Sequence, residues 1–184
     1  MANRRARSDA GDLAIDAATG NALALDVGER RIGVAKADPT GYLASPLTTL
    51  RRERDQDAVA AISALAREHG SRLLVVGVPL GPEGEVTAQA QRIRAFGRKL
   101  RSVPGARVVF WDERFTTQEA EESLRAVRPR RGAPTAHRRE AERRRIDAAA
   151  AAVILQDYLD HQRSARTPRA AADSDLDTAP EPER

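Results

Sequence analysis

Three acidic sites, far apart in the sequence, each stand at a strand end or a helix start in the predicted structure. They are Asp26, the pair Asp112 and Glu113, and Asp147. Carboxylates rarely follow buried apolar runs without a partner, because desolvating an unpaired charge is costly. If the fold brings the three sites together, a divalent metal ion is their natural partner.

Asp26 is the strongest single signal of the three. It follows the apolar run 22–25 and precedes Val27 and Gly28, which predicts a place at the mouth of a central strand. Ligand sites in α/β sheets favour such strand ends. The alternative is a turn-initiating Asp that caps nearby backbone N–H groups.

Asp112 and Glu113 occupy the same kind of position on another strand. Adjacent side chains on a strand point to opposite faces, so only one of the two should face a shared site while the strand continues. The alternative pairs one of them with Arg114 in a surface ion pair of little energetic value.

Asp147 shares a helical stripe with Ala151, Ile154 and Tyr158, at the spacing of a core-facing surface. A carboxylate on that surface should be paired, protonated or bound to metal. The alternative is an Asp near a helix N-terminus, where the macrodipole favours negative charge.

The charge balance points to a polyanionic partner. Lys and Arg total 31 against 27 acidic residues, a net charge of +4 with a pI near 10.2, and only Lys36 and Lys99 are lysines. Residues 128–146 are the most basic segment. Such a run can also be a solvated face. A GC-rich genome would also explain the use of Arg instead of Lys. With the carboxylates, the basic surface suggests phosphodiester chemistry on a nucleic acid. The predicted nucleic-acid contacts are Arg30, Arg31, Lys36, Arg114, Arg138, Arg139, Arg143 and Arg144.

Composition excludes several other chemistries. With no cysteine, the chain has no disulfide, thiol nucleophile or cysteine-ligated zinc or iron–sulfur site. The three histidines are scattered, and neither a P-loop nor a nucleophile-elbow motif occurs. Aromatic residues are only 3% of the chain, so we expect recognition by backbone and shape and not by base stacking. Neither a membrane span nor a signal peptide is recognisable, which predicts a soluble, cytoplasmic protein.

The pattern of elements predicts one α/β domain at residues 21–160, between disordered tails at 1–20 and 161–184. Three strands come first, then helix, strand, helix, strand and helix, which predicts a mixed five-stranded sheet flanked by helices. Asp55 is the expected N-cap of the first helix, Pro46 indicates an edge strand, and Thr116 with Glu119 suggests a capping box. The predicted strands lie near 22–25, 32–35, 43–50, 72–78 and 108–111, and the first helices near 55–70, 86–100 and 116–127. A last helix runs through Asp147 to about Asp160, and the sequence leaves open whether it begins earlier, near His137.

Six blocks together resemble the YqgF (RuvX) family over roughly residues 22–160. They are Leu25-Asp26-Val27-Gly28-x-x-Arg31-Ile32-Gly33-Val34-Ala35, Asp38-Pro39, Ala44-Ser45-Pro46-Leu47, Val75-Val76-Gly77-Val78-Pro79-Leu80, Asp112-Glu113-Arg114-Phe115-Thr116-Thr117 and Ile146-Asp147-x-x-Ala150-Ala151. No single block is decisive, but their order and spacing are highly specific.

The resemblance implies an RNase H-like fold related to the RuvC resolvases. It also implies a cytoplasmic nuclease that processes the 5′ end of the precursor of 16S ribosomal RNA. Asp26, Asp112, Glu113 and Asp147 would then be the catalytic carboxylates, holding Mg²⁺ or Mn²⁺. The expected partner is precursor ribosomal RNA or a ribosomal particle and no membrane, with a monomer and a homodimer both open.

Two departures from the resolvases weaken the expectation of Holliday-junction cleavage. The strand that ends at Gly77-Val78-Pro79 carries no carboxylate at its end, and Asp147 has no second Asp near it on the last helix. A resolvase acting on four-way DNA and a non-catalytic RNA-binding assembly factor remain alternatives. An actin-like ATPase is disfavoured, because 184 residues are too few for its two domains.

Overall fold

The computed structural model describes residues 20–112 and 136–166. Their central feature is a five-stranded sheet in the order β3-β2-β1-β4-β5. The strands are β1 (Leu23–Val27), β2 (Arg31–Ala37), β3 (Ala44–Arg51), β4 (Leu73–Val78) and β5 (Arg107–Asp112). The first three strands are antiparallel neighbours, whereas β4 runs parallel to both β1 and β5. The predicted mixed sheet is confirmed.

The helices are α1 (Asp55–Glu68), α2 (Ala88–Lys99) and α3 (Ala136–Arg166), with a 3₁₀ turn at Leu100–Ser102. The first two cover one face of the sheet, where large side chains such as Leu25, Val76 and Phe96 form the core. The last helix covers the other face. The predicted helix at 116–127 lies outside the described residues.

The face under α3 is built from small residues, because a helix can approach a sheet closely only where few bulky side chains intervene. Ala22, just before β1, Ala24 of β1, and Ala35 and Ala37 of β2 are buried there. They pack against a stripe of α3 that includes Ala151, Ile154, Leu155, Tyr158 and Leu159. This difference between the two faces determines where the last helix docks.

Some predicted boundaries differ from the observed ones. The N-cap of α1 is Arg54 and not Asp55; Asp55 is the first helical residue, and its carboxylate binds Arg52 and Lys99 instead of capping the helix. Pro46 does lie in an edge strand, β3, as predicted. The last helix begins at Ala136 and continues to Arg166, beyond the expected limit at residue 160. Within 20–112 and 136–166, no helix is long and apolar enough to cross a bilayer.

Candidate active site

Asp26 lies inside β1, on the face covered by α3. It pairs across the ladder with Gly33 of β2, and its side chain is partly buried. The β1–β2 turn is closed by a backbone hydrogen bond from the Gly28 N–H to the Arg31 carbonyl, 2.9 Å long. Asp26 therefore precedes the turn as a strand residue, which does not fit the alternative of a turn-initiating Asp.

Asp147 lies well inside α3, eleven residues after the helix begins at Ala136. The macrodipole acts mainly within the first turn, so it does not account for a carboxylate at this position. The neighbouring Ala148 and Ala151 are buried against the sheet. Asp147 is thus held at the junction of α3 and the sheet.

Gly33 brings the two carboxylates together. It is the ladder partner of Asp26, and a Cβ built on Gly33 would overlap the backbone carbonyl of Asp147. Only glycine allows the helix backbone to approach β2 this closely. Gly33 was not among the residues predicted to form the site; the small residues that recur on this face of β2 were the available signal.

The two carboxylates interact electrostatically. Burial, followed by the negative charge of Asp147, raises the pKa of Asp26 from its ordinary value of 3.8 to about 6. Two neighbouring carboxylates repel each other when both are ionised. A hard divalent cation such as Mg²⁺, which prefers oxygen ligands, would offset this repulsion.

Arg31 is the observed partner of Asp147. Its Nε lies 2.5 Å from Asp147 Oδ2, and the two side chains are 30% and 23% exposed. This charge-assisted hydrogen bond joins the start of β2 to α3. Arg31, which was predicted to contact nucleic acid, thus lies against one of the two carboxylates, Asp147.

Asp112 ends β5, opposite Val78 of β4. Along β5, Phe110 packs in the core under α1 and α2, whereas Trp111 packs with α3. Strand alternation therefore assigns Asp112 to the row of Phe110, on the opposite face from Asp26. Glu113 and Arg114, the other two predicted residues of this block, lie outside the described residues.

The third donor of the expected metal site is not found among the described residues. In the ranges 20–112 and 136–166, no three acidic or histidine side chains come close enough together to hold a metal ion. The described part of the chain thus supplies the pair Asp26 and Asp147.

Trp111 fastens β5 to α3. Its Nε1 donates to Asp157 Oδ2 at 2.6 Å, and its ring meets Tyr158 edge-on with centroids 5.3 Å apart. Burial is the largest cause of the raised pKa of Asp157. This contact fixes α3 two helical turns or more beyond Asp147, and the sequence analysis did not assign it.

The predicted basic residues fall into three places. Arg30 is in the β1–β2 turn, next to Arg31 in the chain, and is exposed. Lys36 pairs with Leu23, three ladder positions from Asp26, so the structure does not bring it to the carboxylates. Arg138, Arg139, Arg143 and Arg144 are exposed on the first half of α3, as is Arg145, which was not among the predicted contacts.

That half of α3 is tied to the edge strand by Thr49, whose Oγ1 donates to the Arg144 carbonyl at 2.7 Å. Thr49 pairs with Gly33 on β2. The basic half of the helix therefore lies over the same end of the sheet as Asp26.

Comparisons with known proteins agree with this architecture. The model of the RuvX family, described as Holliday junction resolvase, matches residues 20–161. A protein of Roseiflexus sp. (strain RS-1), named as a candidate pre-16S rRNA nuclease, is 44% identical over 146 residues, covering 78% of this chain and 96% of its own. A protein of the same name from Chloroflexus aggregans is 44% identical over 142 residues, covering 77% and 94%.

A solved structure shares the fold. RuvC of T. thermophilus, determined in complex with a Holliday junction substrate, superposes with a TM-score of 0.54 at 13% identity, over 80% of this chain and 97% of that one. The expected RNase H-like, RuvC-like fold is confirmed. Both relatives are named as nucleases, in agreement with the predicted nuclease function. Because the family model matches residues 20–161 of the 184, the chain belongs to the RuvX family.

Proposed function

We propose that this protein is a metal-dependent nuclease that hydrolyses phosphodiester bonds and processes the 5′ end of the 16S ribosomal RNA precursor. The observation that carries the proposal is the convergence of Asp26 and Asp147 at Gly33, within a fold shared with a nucleic-acid resolvase. The names of the relatives support the choice of substrate.

Asp26, Asp147 and one acid of the block 112–113 would hold Mg²⁺ or Mn²⁺, with Glu113 favoured over Asp112 because Asp112 belongs to the row on the opposite face. When bound, such ions would activate a water molecule and stabilise the leaving oxygen of the phosphodiester. The raised pKa of Asp26 supports this assignment, because a carboxylate that resists ionisation next to another carboxylate is stabilised by a cation. The described pair fits such ions, and the third donor would come from the block 112–113.

The chain's own residues would orient the carboxylates and the substrate. Arg31 holds Asp147 through Nε, which limits the orientations of that carboxylate. Arg30 and the exposed arginines of α3 would bind the phosphate backbone, which fixes position without reading sequence. With aromatic residues at 3% of the chain, base stacking contributes little to recognition.

The test is cleavage of end-labelled RNA that carries the 5′ leader of the 16S precursor, with Mg²⁺, Mn²⁺ or chelator. Asp26→Asn is compared with wild type, because it keeps the shape of the side chain and removes the charge. Metal-dependent cleavage that the variant loses is the expected result. Cleavage that Asp26→Asn retains would remove Asp26 from the active site.

The same assay decides between the two alternatives. The family description favours a Holliday junction resolvase, so a four-way DNA junction is tested beside the RNA. β4 ends at Val78 without a carboxylate, which argues for RNA as the better substrate. Junction cleavage without RNA cleavage would assign the protein to the resolvases. RNA binding without any cleavage would make it an assembly factor.

A further inference from the structure

A basic cavity lies at the sheet end next to the two carboxylates. Its volume is about 540 Å³. It is formed where the β1–β2 turn, the end of β3 and the first turns of α3 meet. Its lining residues are Arg30, Arg31, Arg51, Arg52, Glu53 and Glu140.

Two of the arginines face each other across the ladder. Arg31 of β2 pairs with Arg51 of β3, and like charges directly opposite each other destabilise a sheet. A terminal nitrogen of Arg51 lies 3.8 Å from Glu53 Oε1, and both side chains are about two-thirds exposed or more. Because this ion pair is long and exposed, it offsets little of the repulsion. An anion between the two guanidinium groups would remove the repulsion.

Arg52, in contrast, has a structural role. Its Nε binds Asp55 Oδ1 at 2.9 Å, one terminal nitrogen donates to the Gly28 carbonyl at 2.9 Å, and its guanidinium stacks on Phe96 at 4.6 Å. Glu140 lies 3.6 Å from Arg144 on its own helix. The cations of the cavity that are available to a ligand are therefore Arg30, Arg51 and the terminal nitrogens of Arg31, whose Nε binds Asp147.

The cavity lies close to the carboxylates along the strand. Asp26 pairs with Gly33, and Arg31 is two residues further along β2, a distance of about 7 Å at the usual rise of a strand. Arg31 takes part in both places, because its Nε binds Asp147 while its side chain lines the cavity.

We propose that this cavity is a second phosphate subsite, which binds a phosphodiester of the same nucleic-acid strand beside the one that is cleaved. Arg51 is its distinguishing residue. The inference rests on the proposed function and extends it: the substrate strand leaves the carboxylates across β2 towards the edge strand β3.

The test measures the binding of a labelled single-stranded RNA in chelator across a series of KCl concentrations. Every protein carries Asp26→Asn, so that no cleavage interferes. Arg51→Gln is compared with Arg67→Gln, which removes the same charge from the exposed side of α1. Arg51→Lys restores the charge without the planar fork, and inorganic phosphate is added as a competitor.

Loss of one phosphate contact should lower the slope of log K against log[salt] by about 0.7 for a single strand. We expect that change, with weaker binding at low salt, for Arg51→Gln alone, and partial recovery with Arg51→Lys. The thermal stability of Arg51→Gln should be unchanged or higher, since a repulsion is removed. Equal slopes for Arg51→Gln and Arg67→Gln would overturn the proposal. So would a failure of inorganic phosphate to weaken the part of RNA binding that depends on Arg51.

The two proposals fail separately. If RNA is cleaved with metal but the Arg51→Gln slope equals that of its control, the subsite is wrong and the nuclease stands. If binding depends on Arg51 but the wild-type protein never cleaves, the cavity still binds a phosphate of the RNA and the nuclease is wrong.

Discussion

Gly33 lies directly beneath the backbone carbonyl of Asp147, so that the helix carrying one candidate carboxylate touches the ladder partner of the other. The contact is between two backbones, and neither can move without shifting a secondary-structure element. The position of Asp147 relative to Asp26 is therefore determined by the absence of a side chain on β2.

Gly33→Ala should displace α3 and separate the two carboxylates. Overpacking a close contact of this kind costs about 1–3 kcal/mol, and we expect nuclease activity to fall by about 100-fold or more. The matched control is Gly97→Ala, whose Cβ would meet the Phe110 ring on the other face of the sheet. If both variants lose stability equally and Gly33→Ala keeps full activity, Gly33 does not position the site.

Asp26 should make the metal-free protein less stable as pH rises. Its raised pKa means that the folded chain holds a proton which the unfolded chain releases between pH 3.8 and about 6. Stability is therefore greatest below this interval and falls across it, by up to about 3 kcal/mol from this group alone.

Urea denaturation at about pH 4 and about pH 7 checks this, with chelator present. Asp26→Asn should be more stable than wild type at the higher pH and should lose the decline that Asp26 contributes. An equal decline in the two proteins would assign it to other groups.

Arg31→Gln should strengthen metal binding. It removes the positive charge that now pairs with Asp147, which leaves two carboxylates facing one another without a counter-ion. We expect the affinity for Mn²⁺, measured by calorimetry, to rise by about tenfold. Arg101→Gln, at an exposed position of the 3₁₀ turn, is the control for overall charge. Weaker binding in Arg31→Gln would mean that Arg31 orients Asp147 more than it competes with the ion.

Asp112→Asn and Glu113→Gln should separate the two acids of their block. Asp112 belongs to the row of Phe110, away from Asp26, so its replacement should change activity by less than about fivefold. Glu113 is then the remaining candidate of the pair, and Glu113→Gln should lower cleavage by about 100-fold or more. The opposite ranking in a single-turnover assay would make Asp112 the ligand.

Trp111→Phe should loosen the far half of α3. It removes the hydrogen bond to Asp157, which leaves a partly buried carboxylate without that donor, at a cost of about 1–3 kcal/mol. Asp157→Asn keeps an acceptor and should cost less. Because Trp111 is the one tryptophan of the sequence, its fluorescence in the wild-type protein reports directly on helix docking. Equal losses of stability in Trp111→Phe and Asp157→Asn, measured by circular dichroism during unfolding, would contradict this role.

Much of this arrangement could be predicted from the sequence, because apolar runs and carboxylates at their ends are local patterns. The strands, the mixed sheet and the expectation that Asp26 and Asp147 come together follow from such patterns. The roles of Gly33, Arg51 and Trp111 depend on partners distant in sequence, since each is defined by a contact across the sheet or with the last helix. The prediction that Asp55 is the N-cap of α1 was wrong, because the Asp55 carboxylate forms ion pairs with Arg52 and Lys99 instead.

The docking of α3 also has a consequence for the protein during its own synthesis. Asp26 leaves the ribosome before Asp147, which belongs to α3, and Gln156 of this helix accepts from the Ala44 N–H at the start of β3. A nascent chain that still lacks this helix has neither the second carboxylate nor the contacts that cover this face of the sheet. The proposed site can therefore form only after α3 has been synthesised, and a chain truncated before Ala136 would lack it.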